Sequence, residues 1–221
     1  MIPRILCGLL IALIASPAAQ DGSPVIDNEL VQVTRQRLDP GATLSTEMPP
    51  ALIVFLNVHN AMLTAAERQE EVRGARGGFV WHSGGKIHLE NRGEHVLELA
   101  LVVPKFKPAT EDVSDVLSNR GVVFENSLLH VKRFGFGPNA KPVTRSSRVD
   151  HVLPALVIHL SAAQISLRQA DGHVERVRME AGQIRYQARE FYFSGGNPPA
   201  NPSGENGAVA RVMRIQLKAG R

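Results

Sequence analysis

The sequence predicts an all-β protein made of two tandem units, small β-barrels or sandwiches, joined by a short helical linker. Three observations carry that expectation. The first is turn content: 19 glycines and 14 prolines in 221 residues cut the chain into short pieces, while 43% hydrophobic residues leave enough apolar surface for a core. The second is period, since neither half of the chain shows the long 3.6-residue apolar stripe of an amphipathic helix. The third is recurrence: strand-like segments return in the same order about a hundred positions later.

The elements follow in chain order. Residues 1–19 carry Arg4, an apolar run from Ile5 to Ala15 and the small residues Ser16 and Ala18, the pattern of a signal peptide cleaved near Ala18 or Ala19. The run is too short to span a bilayer, so no stable membrane anchor is expected after cleavage. The single cysteine, Cys7, lies inside that run and leaves with it, which excludes disulfides, thiolate metal ligands and thiol nucleophiles from the mature chain. A periplasmic or secreted protein is therefore expected. The formal charge of +4 falls to +3 with the loss of Arg4, and the remaining basic residues are scattered, which argues against nucleic acid as a partner.

Residues 20–105 form the first expected barrel, 106–121 the linker and 122–221 the second barrel. In the first, Val31-Gln32-Val33-Thr34-Arg35 is followed by Pro40-Gly41; in the second, Leu129-His130-Val131-Lys132-Arg133 is followed by Pro138-Asn139, 98 positions on. Pro50-Ala51-Leu52-Ile53-Val54-Phe55-Leu56 returns as Pro154-Ala155-Leu156-Val157-Ile158-His159-Leu160 at a spacing of 104, and Gly77-Gly78-Phe79-Val80-Trp81 as Gly182-Gln183-Ile184-Arg185-Tyr186 at 105. The drift in spacing is what loop insertions produce. Between the halves, Thr110 caps a segment with Glu111 and Asp112 in its first turn that stops near Asn119 and Gly121, a short linker helix. Ala170-Asp171-Gly172-His173 reads as a hairpin turn, and Val209 to Leu217 as a closing strand with two-residue alternation.

These residues resemble the cupin superfamily, most clearly in the second half. The signposts there are Val122-Val123-Phe124-Glu125-Asn126, the strand from Leu129, Gly137-Pro138-Asn139, the Asp171-Gly172 hairpin, Met179-Glu180-Ala181-Gly182-Gln183 and the closing Arg214-Ile215-Gln216-Leu217-Lys218; Arg37-Leu38-Asp39-Pro40-Gly41 and Asn91-Arg92-Gly93-Glu94 carry the likeness in the first. The resemblance implies two jelly-roll barrels. In cupins that do metal chemistry it also implies three histidines and a carboxylate, a donor set that suits iron, manganese or nickel. Counted from Gly41, the histidine positions of the first signature fall on Glu47 and Pro49 and the carboxylate position near Ala51; in the second half the loop reads Thr144-Arg145-Ser146-Ser147-Arg148 and the carboxylate position is Ala155. Aligning Gly84 and Asn91 places Ile87 where the later histidine belongs and leaves His88 on the opposite face. No metal site of the usual kind, and no cofactor, is expected.

The residues left for a ligand are His159, His151, Arg145, Arg185 and Tyr186. The resemblance puts position 159 inside the barrel, and Arg145, Arg148, Lys132, Arg133 and Arg185 can converge at its mouth to hold a carboxylate or phosphate, or else line a solvated sheet edge. The Trp81-His82-Ser83-Gly84-Gly85-Lys86-Ile87-His88 run offers a second cluster, although Trp81 and Tyr186 also match as equivalent core aromatics. His59, His95, His130 and His173 are expected at the surface. No catalytic residue is assigned. The expected function is a non-catalytic small-molecule-binding or structural module, able to form a homodimer through sheet edges. The alternative is a metal-dependent oxygenase or isomerase with an atypical site at His151 and His159, where Asp150 is the nearest carboxylate.

Overall fold

The computed structural model describes residues 22, 24–108, 122–136, 153–168, 173–187, 192–195 and 210–219. Among these residues all regular structure is β. The first half supplies β1 (Pro24–Asp27), β2 (Val31–Leu38), β3 (Thr43–Met48), β4 (Ala51–Phe55), β5 (His59–Ala65), β6 (Arg68–Gly74), β7 (Phe79–His82), β8 (Gly85–Asn91) and β9 (Leu97–Pro104). The second supplies β10 (Val122–Glu125), β11 (Leu129–Phe136), β12 (Ala155–His159), β13 (Ala163–Arg168), β14 (Val174–Met179), β15 (Ile184–Gln187), β16 (Tyr192–Gly195) and β17 (Ala210–Leu217). The helix expected at residues 110–117, the turn residues 170–172 and the signal segment lie outside the described residues.

Strands β1-β2-β9-β4-β7 form a five-stranded sheet facing the four-stranded sheet β3-β8-β5-β6. The chain passes repeatedly from one sheet to the other, so its connections wrap the core. In the second half the order β10-β11-β17-β12-β15 matches the first five-stranded sheet strand for strand, and β14-β13-β16 lies beside it in sequence order as β6-β5-β8 does. Hydrogen bonds repeat as well. Asn28 Oδ1 accepts from the amides of Leu30 and Val31, and Asn126 Oδ1 from those of Leu128 and Leu129. The amide of Phe55 donates to the Gly78 carbonyl and that of Gly77 to Phe55, as His159 does to Gln183 and Gly182 to His159.

Two-residue alternation divides the burial of each central strand. Side chains of β4 are buried along its whole length, as are those of β12, because both faces are covered. On one face Ile53, Phe55, Leu99 and Leu101 meet Leu44, Leu63, Ile87 and Leu89 of the four-stranded sheet and fill the space between the sheets. On the other face Leu52, Val54 and Val102 pack with Leu156, Ile158, Met213 and Ile215 of the second half. Each such side chain, taken fully out of water, contributes about 1.5–3 kcal/mol, so the two halves are held by one apolar core.

The rim of that core is also paired. Arg133 donates to the Gly77 carbonyl and lies over the Phe79 ring, 5.4 Å from its centroid. Phe124 meets Phe79 edge-on and tilts against Trp81. Asp27 pairs with Lys105 at one end, and Glu125 with Lys218 at the equivalent position of the other half.

Candidate functional site

The two five-stranded sheets have the same architecture but opposite chemistry on their inward faces. In register across the first sheet stand Thr34, Leu101, Ile53 and Val80. The equivalent row of the second is Lys132, Arg214, Val157 and Arg185. Registered partners share a face, and this one is opposite to the face that Leu156, Met213 and Ile215 turn to the shared core. Lys132 is 0% exposed and Arg214 8%, so two cations lie directly across from one another out of water. The neighbouring rows carry His130, Gln216 and Gln187 on one side and Val212 and His159 on the other. Where Phe55 fills the first half, His159 stands in the second.

His159 is fully buried, and neither ring nitrogen has a hydrogen-bond partner. Burial, with the positive charge of Arg185 as the smaller cause, lowers its pKa to about 4. The ring is neutral at ordinary pH and keeps one donor and one acceptor to offer. Arg185 Nη1 lies 3.7 Å from Met179 Sδ, a weak acceptor. At the end of the sheet, His130 Nδ1 is 3.7 Å from Glu125 Oε1, and the same carboxylate oxygen accepts from Lys218 Nζ at 2.5 Å.

His159 and Arg185 therefore share one face, with His159 fully buried and Arg185 half-buried. Tyr186, the next residue along β15, does not: it points to the other side and packs on the shared core with Trp81. Arg133 is likewise separated from Lys132, since adjacent strand residues alternate faces. It is spent on Gly77 and Phe79. His151, Asp150, Arg145 and Arg148 lie outside the described residues. Two histidines expected at the surface are buried instead: His130 on the polar face, and His59 stacked on Phe55 with ring centroids 4.0 Å apart. Burial lowers the pKa of His59, against a hydrogen bond to the Asn57 carbonyl that raises it. Its ring presses on Gly78, where an added Cβ would lie 2.5 Å from Cε1. His82 turns inward to the Gly85 carbonyl while His88 is exposed, so the two do not converge. Lys132 and Arg214 are the site residues whose pairing the sequence reading missed; the signal was present in the repeat, which sets Lys132 against Thr34 and Arg214 against Leu101.

No protein-family model and no curated protein matches the sequence. Solved structures do. The fold is similar to a cupin 2 conserved barrel domain protein from Leptotrichia buccalis, with a TM-score of 0.54 over 93% of each chain at 12% identity. It is similar to protein Ylba from E. coli, with a TM-score of 0.56 at 10% identity over 90% of this chain and 89% of that one. The chain has the cupin fold. A salicylate 1,2-dioxygenase from Pseudoaminobacter salicylatoxidans shares it, with a TM-score of 0.54 at 11% identity over 85% of this chain and 69% of that one. At these identities the likeness extends to the fold alone.

The cupin resemblance implies a metal in the catalytic members, and the described residues do not suit one. Ile87 occupies the inward position of β8, Glu47 is exposed on β3, and the space between the first pair of sheets is apolar. In the second half the inward imidazoles stand among Lys132, Arg185 and Arg214, whose charge opposes a cation. No group of three or more His, Cys, Asp or Glu side chains converges among the described residues.

Proposed function

We propose that this chain is an exported, non-catalytic small-molecule-binding protein of two cupin-type barrels, residues 20–105 and 122–221, joined through residues 106–121. The first barrel acts as a filled structural partner and the second holds the ligand on its inward face. One observation carries the reading: at equivalent positions, Phe55, Val80 and Leu101 give way to His159, Arg185 and Arg214. His159 is fully buried and neither ring nitrogen has a hydrogen-bond partner; burying such a group costs stability, and a ligand that brings its own donor or acceptor meets that cost. The signal-like residues 1–19 support export to the periplasm or beyond.

The test is a thermal-shift panel of neutral, cationic and anionic small molecules on the purified exported protein, run beside His159→Phe. At least one class raises the melting temperature of the natural chain, and the rise is lost in the variant. If no class shifts it, the binding reading fails. Sequencing the amino terminus of the exported protein checks the leader, with a start next to Ala18 or Ala19 as the expected result.

A further inference from the structure

We infer that the second half takes an uncharged, hydroxyl-rich molecule, a small sugar, along the β12–β15 side of its inward face, where its hydroxyls meet His159, Gln187 and Arg185. This deepens the binding reading and rests on it.

On β11 and β17 the polar side chains of this face, His130, Lys132, Arg214 and Gln216, each interact within the chain. The β12–β15 side differs. His159 is fully buried and both ring nitrogens lack a hydrogen-bond partner. Gln187 stands across from Ala155 and Arg185 across from Val157, so both share the face of His159. Gln187 is 6% exposed, and among the described residues its amide has no hydrogen-bond partner. Arg185 meets the Met179 thioether, a weak acceptor. In the first half the same positions are settled: Phe55 fills the place of His159, and His82, across from Ala51 in the place of Gln187, has Nε2 3.3 Å from the Gly85 carbonyl.

The chemistry of these three groups sets the ligand class. A neutral imidazole and a carboxamide each carry a donor and an acceptor, and the guanidinium adds donors. A carboxylate only accepts and an ammonium only donates, so neither answers His159 and Gln187 in full; a hydroxyl does both. The three side chains start from successive levels of the strand pair, with roughly 13 Å between the first and the last. Several hydroxyls spread over one or two sugar rings match that spread, and Val157 and Val212, on the same face, meet the C–H surface of the rings. Arg185 is half-buried and its charge acts on the His159 ring, so this long side chain is the movable cover past which the ligand reaches the imidazole.

The experiment is calorimetric titration of the purified protein with glucose, galactose, mannose, trehalose and maltose, with succinate, putrescine and phenol as anionic, cationic and apolar comparisons. The variants are His159→Phe, which copies Phe55, and Gln187→Leu. At least one sugar binds at one site per chain, and each variant weakens it about tenfold or more. Without ligand both variants melt at or above the natural chain, because a buried polar group without a partner has been removed. If a comparison compound binds and no sugar does, the inference falls while the binding reading stands. If nothing binds, both fall. Sugar affinity that is unchanged in either variant overturns the site. A ligand-free melting temperature lowered by about 5 °C or more in both also overturns it, by showing that the two side chains hold the fold rather than a ligand.

Discussion

His159 holds the clearest consequence at the scale of single residues. Its folded pKa of about 4 lies below the ordinary 6.5, so the unfolded chain takes up the proton first as pH falls. The stability tied to the neutral ring is fully present above pH 6.5 and is lost progressively toward pH 4, by up to about 3 kcal/mol. His59, also lowered by burial, acts in the same direction. His159→Phe, which copies Phe55, is expected to raise ligand-free stability by about 1–3 kcal/mol and to flatten part of that acid decline. Denaturant melts at pH 7 and pH 4.5 read both effects, and an unchanged slope in the variant would remove His159 from the account. Asn91 gives a second case. It is buried, its amide donates to the Leu38 and His95 carbonyls, and its Oδ1 accepts from the Gly93 amide. Asn91→Ala leaves those groups unmet and is expected to cost about 2–4 kcal/mol, measurable by denaturant midpoint. Single residues were also where sequence reading was weakest. Arg185 and Tyr186 are neighbours in a strand, so one face could never hold both; alternation alone separates them. His59 and His130 stand singly among strand residues, and a lone histidine's sequence says nothing of what covers its own side of the sheet.

Elements were more legible, because their signals are local. The Pro-Ala-Leu runs fall on β4 and β12, and the glycine-containing turns before Phe79 and Ile184 lead into β7 and β15. The β5–β6 hairpin gave no such warning. Its two turn residues, Ala66 and Glu67, have φ of 46° and 64°, the conformation that Asn-Gly adopts readily and that alanine and glutamate adopt at a cost. Replacing Ala66-Glu67 by Asn-Gly is expected to stabilise the chain by about 1 kcal/mol or more; a fall in the thermal midpoint would contradict this. The turns at Gly77 and Gly182 are genuinely glycine positions, with φ of 85° and 82°. At Gly77 an added Cβ also meets Leu160 at 2.7 Å, whereas at Gly182 the nearest atom is the movable Arg35 guanidinium at 3.3 Å. Gly77→Ala is therefore expected to lose more stability than Gly182→Ala, the latter showing the cost of φ with little added steric conflict.

At the scale of the molecule, the shared apolar core makes the two halves one unfolding unit. Calorimetry is expected to give a single transition, and Leu52→Ala or Leu156→Ala, one from each half, should each lower it by about 2–5 kcal/mol without splitting it. Two resolved transitions would contradict that coupling. The sequence showed the spacing of matching segments but not which face of each sheet meets the other half, because the apolar runs of β4 and β12 are buried on both faces and carry no direction. The polar inward face was legible only by setting the repeats side by side. The shared core has one further consequence. Two separate chains joined by such a surface would come apart on dilution, with a melting temperature that follows their concentration. Here residues 109–121 tie the partners together, so each sees the other at a fixed effective concentration however dilute the solution. The protein's assembly therefore stays intact at any dilution.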